Sequence, residues 1–236
     1  MAKAKETVEK VETVAIPETT SNSECECVEM DTSQFVGSAV SSNFNYGLEE
    51  TFLMEDMEDR KLFIRDTITS EVYDYISYNI MRYNAMDMGV PIEERQPIKL
   101  YIATGGGCTF DGLGICEILK ASLTPVIGIC TSYAFSMGFY IYISCDLRYA
   151  TANAMFLNHE GEDGILGHPS KIKDYIRFAD KLEDRLNKII VKRTKLTMRD
   201  LNETERVEDY YFADEAKDIG VVDYIIGEDC TIDDIL

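Results

Sequence analysis

Short apolar runs alternate with longer stretches of helical spacing along the middle of this chain, and that alternation leaves few folds open. Lys61-Leu62-Phe63-Ile64-Arg65 reads as a strand. Thr69-Ser70-Glu71 is a helix start with acid in its first turn, and Val72, Ile76, Ile80 and Tyr83 follow on one helical face. After a loop bounded by Pro91 and Pro97, Ile98-Lys99-Leu100-Tyr101-Ile102-Ala103 is a second strand, ending at Thr104-Gly105-Gly106-Gly107. A helix from about Phe110 places Leu113, Ile115, Ile118 and Leu119 inward, and Pro125 precedes a third strand, Val126-Ile127-Gly128-Ile129-Cys130. Parallel neighbours need a long crossover, so this rhythm predicts an α/β fold: a mostly parallel sheet flanked by helices. Ligands in such sheets bind at the carboxyl ends of the strands. The glycine triplet falls there, and so does Thr131-Ser132-Tyr133-Ala134-Phe135-Ser136-Met137-Gly138.

The remainder continues in short elements. Leu147-Arg148-Tyr149-Ala150 and Ala154-Met155-Phe156-Leu157-Asn158-His159 read as strands joined by a turn at Thr151-Ala152-Asn153. Ser170 opens a long amphipathic helix, to about residue 194, with Ile172, Tyr175, Ile176, Ala179, Leu182, Leu186, Ile189 and Ile190 on one face. Such a helix protrudes and buries its stripe against a partner chain, or packs within its own domain. Thr197 with Asp200 is a capping-box pattern ahead of a helix through Leu201 to about Arg206. Ala213 to Gly220 reads as a helix with a glycine stop, and Val221 to Ile226 as a closing strand.

Charge narrows the function classes. The net charge of −20, from 43 acidic and 23 basic residues, repels nucleic acid and anionic membrane, so neither is expected as a partner. No apolar run reaches the length of a membrane span, and the N-terminus has no apolar stretch behind its lysines, so no secretory signal is read. The seven cysteines follow neither a disulfide framework nor a zinc spacing, which fits a reducing, cytoplasmic setting. Residues 1–50, rich in Glu, Thr, Ser and Asn, lack the apolar surface to offset chain entropy, so a mobile acidic tail, pro-segment or docking arm is expected there, with the folded domain over 51–236. The glycine triplet lacks the lysine of a phosphate loop, and no cofactor is expected in this chain.

Ser136 stands where a strand gives way to an apolar helix, Phe139-Tyr140-Ile141-Tyr142-Ile143, so first-turn amides point at whatever sits in front of it. That suits a nucleophile, because the oxyanion of acyl transfer needs preorganised donors. For an isolated Ser-Met-Gly the plainer reading, a small polar residue capping a buried helix, is favoured, and two other stretches of the chain change that balance. A nucleophilic serine needs a base, and the chain holds two histidines: His159 ends an apolar strand, whereas His168 precedes Pro169 in a loop and is the poorer candidate.

Three stretches together, Ile102-Ala103-Thr104-Gly105-Gly106-Gly107, Ala134-Phe135-Ser136-Met137-Gly138 and Met155-Phe156-Leu157-Asn158-His159, resemble the proteolytic subunit of the Clp protease in order and spacing. Asp214-Glu215-Ala216-Lys217-Asp218-Ile219-Gly220-Val221-Val222-Asp223 resembles that family's following helix and closing strand, so the likeness runs from about Lys61 to Ile226. The resemblance implies a crotonase-like repeated strand-strand-helix core with a long protruding handle helix. It implies an ATP-dependent protease's proteolytic subunit, a serine endopeptidase that hydrolyses unfolded proteins inside a closed chamber of two stacked heptameric rings. An AAA+ unfoldase partner would use the ATP. Ser136 would be the nucleophile, His159 the general base, and Gly107 and Met137 the oxyanion-hole donors. Counting back without a gap from Ala213 puts Glu208 at the family's aspartate position; deleting one residue brings Asp209 there, and side-chain type favours Asp209.

The sequence departs from the family at four points, one being a segment before Lys61 that is longer and more acidic than expected of the family. The usual proline of the glycine loop is Gly105, the glutamine-proline after the histidine is Glu160-Gly161, and Phe135 fills a usually small position, which is expected to narrow the first specificity pocket. Two other readings therefore stand beside the peptidase: a non-catalytic ring subunit, and a crotonase-fold enzyme acting on an acyl thioester.

Overall fold

The computed structural model describes residues 48–161, 164–204 and 208–235. The segment expected to be mobile, 1–50, lies outside these residues except for its last three, which begin a helix, α1 (Leu48–Glu58).

The chain then runs β1 (Lys61–Ile64), α2 (Ser70–Met86), β2 (Ile98–Thr104), α3 (Thr109–Ala121), β3 (Val126–Phe135), α4 (Met137–Ser144), β4 (Leu147–Thr151), β5 (Met155–Asn158), α5 (Pro169–Arg193), α6 (Met198–Thr204), β6 (Asp209–Phe212), α7 (Ala213–Asp218) and β7 (Tyr224–Ile226). Among the described residues the strands form one mixed sheet, ordered β1-β2-β3-β4-β7, with β5 branching from β3 and β6 pairing β5. Every pairing is parallel except β5 with β6. The predicted α/β architecture is thus what the residues build.

The periodicities explain the layers. In β1 and β2 alternate residues are buried, Leu62 and Ile64, then Ile98, Leu100, Ile102 and Thr104. Their buried side chains share one core with Ile76, Ile80 and Tyr83 of α2, Ile115 and Leu119 of α3, and α4. The half-exposed alternates carry stacked pairs, Phe63 on Tyr101 and Tyr149 on Tyr224. Seven of the eight α4 residues are buried, so this helix forms the centre of the core.

One feature of β3 positions the site. Its first half, Ile127 to Cys130, pairs β4, and its last residues, Tyr133 to Phe135, pair β5. The strand therefore runs five residues past the predicted end at Cys130, through Thr131-Ser132-Tyr133, and the sheet forks around it.

Helix α5 matches the expected amphipathic helix. Only Ile190 is fully buried, while Ile176 and Phe178 in its first half are about half exposed. Its base is tied down: the Arg193 guanidinium donates to the carbonyls of Ile143 (2.8 Å) and Cys145, and Arg148 donates to the Arg193 carbonyl (2.9 Å). The predicted capping box holds, with the Thr197 amide and hydroxyl each 2.7 Å from Asp200 Oδ2. Two elements go beyond the expectation, α1 and the short strand β6.

Candidate active site

Three strand ends meet here. At the end of β2 the Thr104 hydroxyl, fully buried, donates to the Asp66 carbonyl (2.7 Å) and accepts from the Gly106 amide (3.1 Å), which folds the glycine loop back on itself. Gly106 and Gly107 then adopt φ of 101° and 150°, conformations open to glycine and rare for other residues. The Ile68 amide donates to the Gly106 carbonyl, and the Cys108 amide to the Ile68 carbonyl, each at 2.9 Å. That parallel bridge leaves the intervening Gly107 N–H directed away from Ile68. How close β3 lies is set by Gly106: a Cβ there would sit 2.7 Å from Ser136 Cβ.

Ser136 is the junction between β3 and α4. Its φ of 52° and ψ of −124° lie in a strained region for a side-chain-bearing residue. Its amide is still held by the Leu157 carbonyl (2.9 Å), while its own carbonyl already accepts from Phe139 (3.0 Å) and Tyr140 (3.4 Å). The backbone thus passes from ladder to helix within one residue, as at the sharp strand-to-helix turns that expose a nucleophile. Met137 is the first helical residue, so its N–H is one the helix leaves unpaired. Below the turn, Cys130 is a thiol pushed up to about 12 by burial, and so is inert.

His159 follows the last residue of β5. It and Ser136 line one cavity of about 350 Å³, closed by Met137 and Tyr140 of α4, Asn158, Thr109, and Leu182, Leu186 and Asn187 of α5. No hydrogen bond joins Ser136 to His159 among the described residues. The Tyr140 hydroxyl donates to Asn158 Oδ1 (3.1 Å), and its phenol is pushed up by burial and then by the nearby Glu183 carboxylate.

The two candidate acids lie on or just before β6, beside the histidine strand. The antiparallel ladder ends at the pair Asn158 with Asp209; its register, continued one step past that end, would set Glu208 opposite His159. Glu208 accepts from the Tyr210 hydroxyl (2.9 Å), and Asp209 faces Tyr211, whose phenol is pushed up by burial and then by that carboxylate. Neither acid lines the cavity.

The structure also places two other residues that the sequence singled out. Phe135 does not narrow this cavity: strand alternation turns its ring to the opposite face, against Tyr133 (5.2 Å between ring centres) and edge-on to Tyr210 (5.8 Å). His168 has a structural task, since its Nδ1 accepts from the Ser170 amide (3.4 Å) and caps α5 ahead of Pro169. Sequence reasoning also passed over Tyr140 and Asn158. Their signal was position: Tyr140 is one helical turn past Ser136, and Asn158 adjoins His159. Among the described residues no group of His, Cys, Asp and Glu could hold a metal ion, and no helix is long and apolar enough to cross a membrane.

A protein-family model described as Clp protease matches residues 49–229. That span takes in the forked sheet, the Ser136 turn, the His159 strand and the long α5 helix. Covering well over half of the sequence, the match shows that the chain belongs to the Clp protease family, as a proteolytic subunit.

Proposed function

We propose that this subunit is a serine-type endopeptidase that works on unfolded chains delivered by an AAA+ unfoldase. The observation that carries the reading is the strained Ser136 turn sharing one cavity with His159. His159 takes the proton from Ser136 Oγ as that oxygen attacks the scissile carbonyl carbon. The negative oxygen that results is received by the Gly107 and Met137 amides, two donors fixed by backbone and therefore needing no reorganisation. His159 then passes the proton to the leaving amine, and the acyl-enzyme is hydrolysed by water in the reverse sense. Of the two acids, the ladder register favours Glu208 as the group that orients His159, reversing the preference drawn from side-chain type. The unfoldase uses the ATP, and the peptidase chain needs no cofactor of its own. The half-exposed apolar residues of α5 suit a handle that joins two stacked heptameric rings around a closed chamber.

A fluorophosphonate probe tests the chemistry. Labelling of the wild-type protein that disappears in Ser136→Ala, together with hydrolysis of a fluorogenic peptide, is the expected result. Labelling that persists in Ser136→Ala refutes it. One observation favours a second reading, a ring subunit without activity: among the described residues no hydrogen bond joins Ser136 and His159. An assembled particle made of this chain alone that is neither labelled nor active would establish that reading.

A further inference from the structure

The ladder between β3 and β5 ends early. Its pairs are Tyr133 with Met155, Ala134 with Phe156 and Phe135 with Leu157, and the Ser136 amide to the Leu157 carbonyl is the last backbone tie. His159 lies two residues beyond Leu157. Across that gap a side-chain bond takes over, from the Tyr140 hydroxyl to Asn158 Oδ1 at 3.1 Å. Tyr140 is rooted in the turn that holds the serine, because its amide donates to the Ser136 carbonyl. Its ring is 6% exposed and belongs to the main core, so the hydroxyl is carried on a rigid mount. Burial also pushes the phenol's pKa up, so it remains a donor throughout the working pH range.

We propose that Tyr140 and Asn158 are positioning residues of the peptidase, their side-chain hydrogen bond clasping the His159 strand to the Ser136 helix. This rests on the serine-peptidase reading above. The clasp touches neither the scissile bond nor the proton in transit. It sets the height of His159 over Ser136, and with it the fraction of time the two are aligned for proton transfer. Further back the two elements are joined by the packing of Tyr142 on Phe156 (5.0 Å between ring centres) and by the short β3–β5 ladder, so the clasp is the side-chain hydrogen bond nearest His159.

The test uses the full chain, a fluorogenic peptide and a fluorophosphonate probe. Tyr140→Phe removes one oxygen and keeps the ring; Asn158→Leu keeps the branched shape without the acceptor. Each is expected to lower kcat about tenfold with KM nearly unchanged, the size of effect that the loss of one hydrogen bond at a reacting centre produces. The double variant is expected to be no slower than the slower single one, because both remove the same bond. Asn158→Asp keeps the acceptor, so it is expected to stay within about threefold of wild type when Tyr140 is present, and to bring no rescue in the Tyr140→Phe background. Losses that multiply in the double variant, losses confined to KM, or wild-type rates in both single variants overturn the clasp. Absence of Ser136-dependent labelling in the wild-type protein overturns the peptidase reading, and the clasp falls with it. A labelled wild type with discordant variants removes the clasp alone.

Discussion

Gly106→Ala is the most discriminating small change to make in this protein. The added Cβ would lie 2.7 Å from Ser136 Cβ, 2.9 Å from the Phe135 carbonyl oxygen and 3.1 Å from the Met137 nitrogen. Two of these three are backbone atoms, which cannot swing aside as a flexible side chain would. The φ of 101° adds strain of its own for any residue bearing a Cβ. Overpacking costs about 1–3 kcal/mol and a strained backbone costs a similar amount, so a loss of about 3 kcal/mol is expected. The activity effect should be larger than stability alone explains. The atoms that must move belong to Ser136 and Met137, the proposed nucleophile and oxyanion donor, and a shift approaching 1 Å in groups with those roles costs about 100-fold in rate. Gly105→Ala is the matched control, because nothing lies within 4 Å of a Cβ there and its φ is unremarkable. The assay is the second-order rate of fluorophosphonate labelling, measured beside the urea midpoint. Wild-type labelling in Gly106→Ala would refute the reasoning, as would an equal loss in Gly105→Ala.

Two further predictions concern other parts of the chain. Arg60, itself 8% exposed, is gripped by both oxygens of Asp87 (2.6 and 2.7 Å), which also accepts from Thr124 (2.7 Å). Asp87→Ala strands that guanidinium and should cost about 3–5 kcal/mol in urea unfolding. Arg60 holds the Asp87 carboxyl below its ordinary range, so the pair's contribution is complete above about pH 4 and declines as acid titrates the folded state through that lowered value; equal acid sensitivity in Asp87→Asn and wild type would contradict this. At the site, Glu208→Gln should reduce kcat at least about tenfold more than Asp209→Asn, since losing the acid that orients a catalytic histidine is costly. The opposite ranking would restore the gapped alignment.

How much the sequence disclosed depended on whether an element is recognised by its own residues or by its neighbours. Strands β1 and β2 announce themselves through alternation, and α5 through a stripe that Leu182, Leu186 and Ile190 continue. Strand β6 does not: Asp209-Tyr210-Tyr211-Phe212 becomes a strand because β5 offers it an edge, and four residues carry too little pattern to be read alone. The extension of β3 was hidden in the same way by Thr131 and Ser132, polar residues that the fork leaves exposed. Helix α1 lacks both a sided apolar face and a basic last turn. The site shows the same division. That Ser136 and His159 line one cavity was foreshadowed by motif and position. The choice between Glu208 and Asp209 turns on a ladder register that sequence alignment leaves open by one residue, and the fate of Phe135 turned on which face of β3 it occupies.

Helix α4 is a rod of eight residues, about 12 Å long, with Ser136 at its head. Its foot is gripped from outside, by the Arg193 guanidinium on the carbonyls of Ile143 and Cys145. That arginine is the last residue of α5. A push or twist on the long helix therefore has a short mechanical route to the Ser136 oxygen; if subunits join along α5, as proposed, loss of that neighbour should slow labelling at Ser136 before the chain begins to unfold.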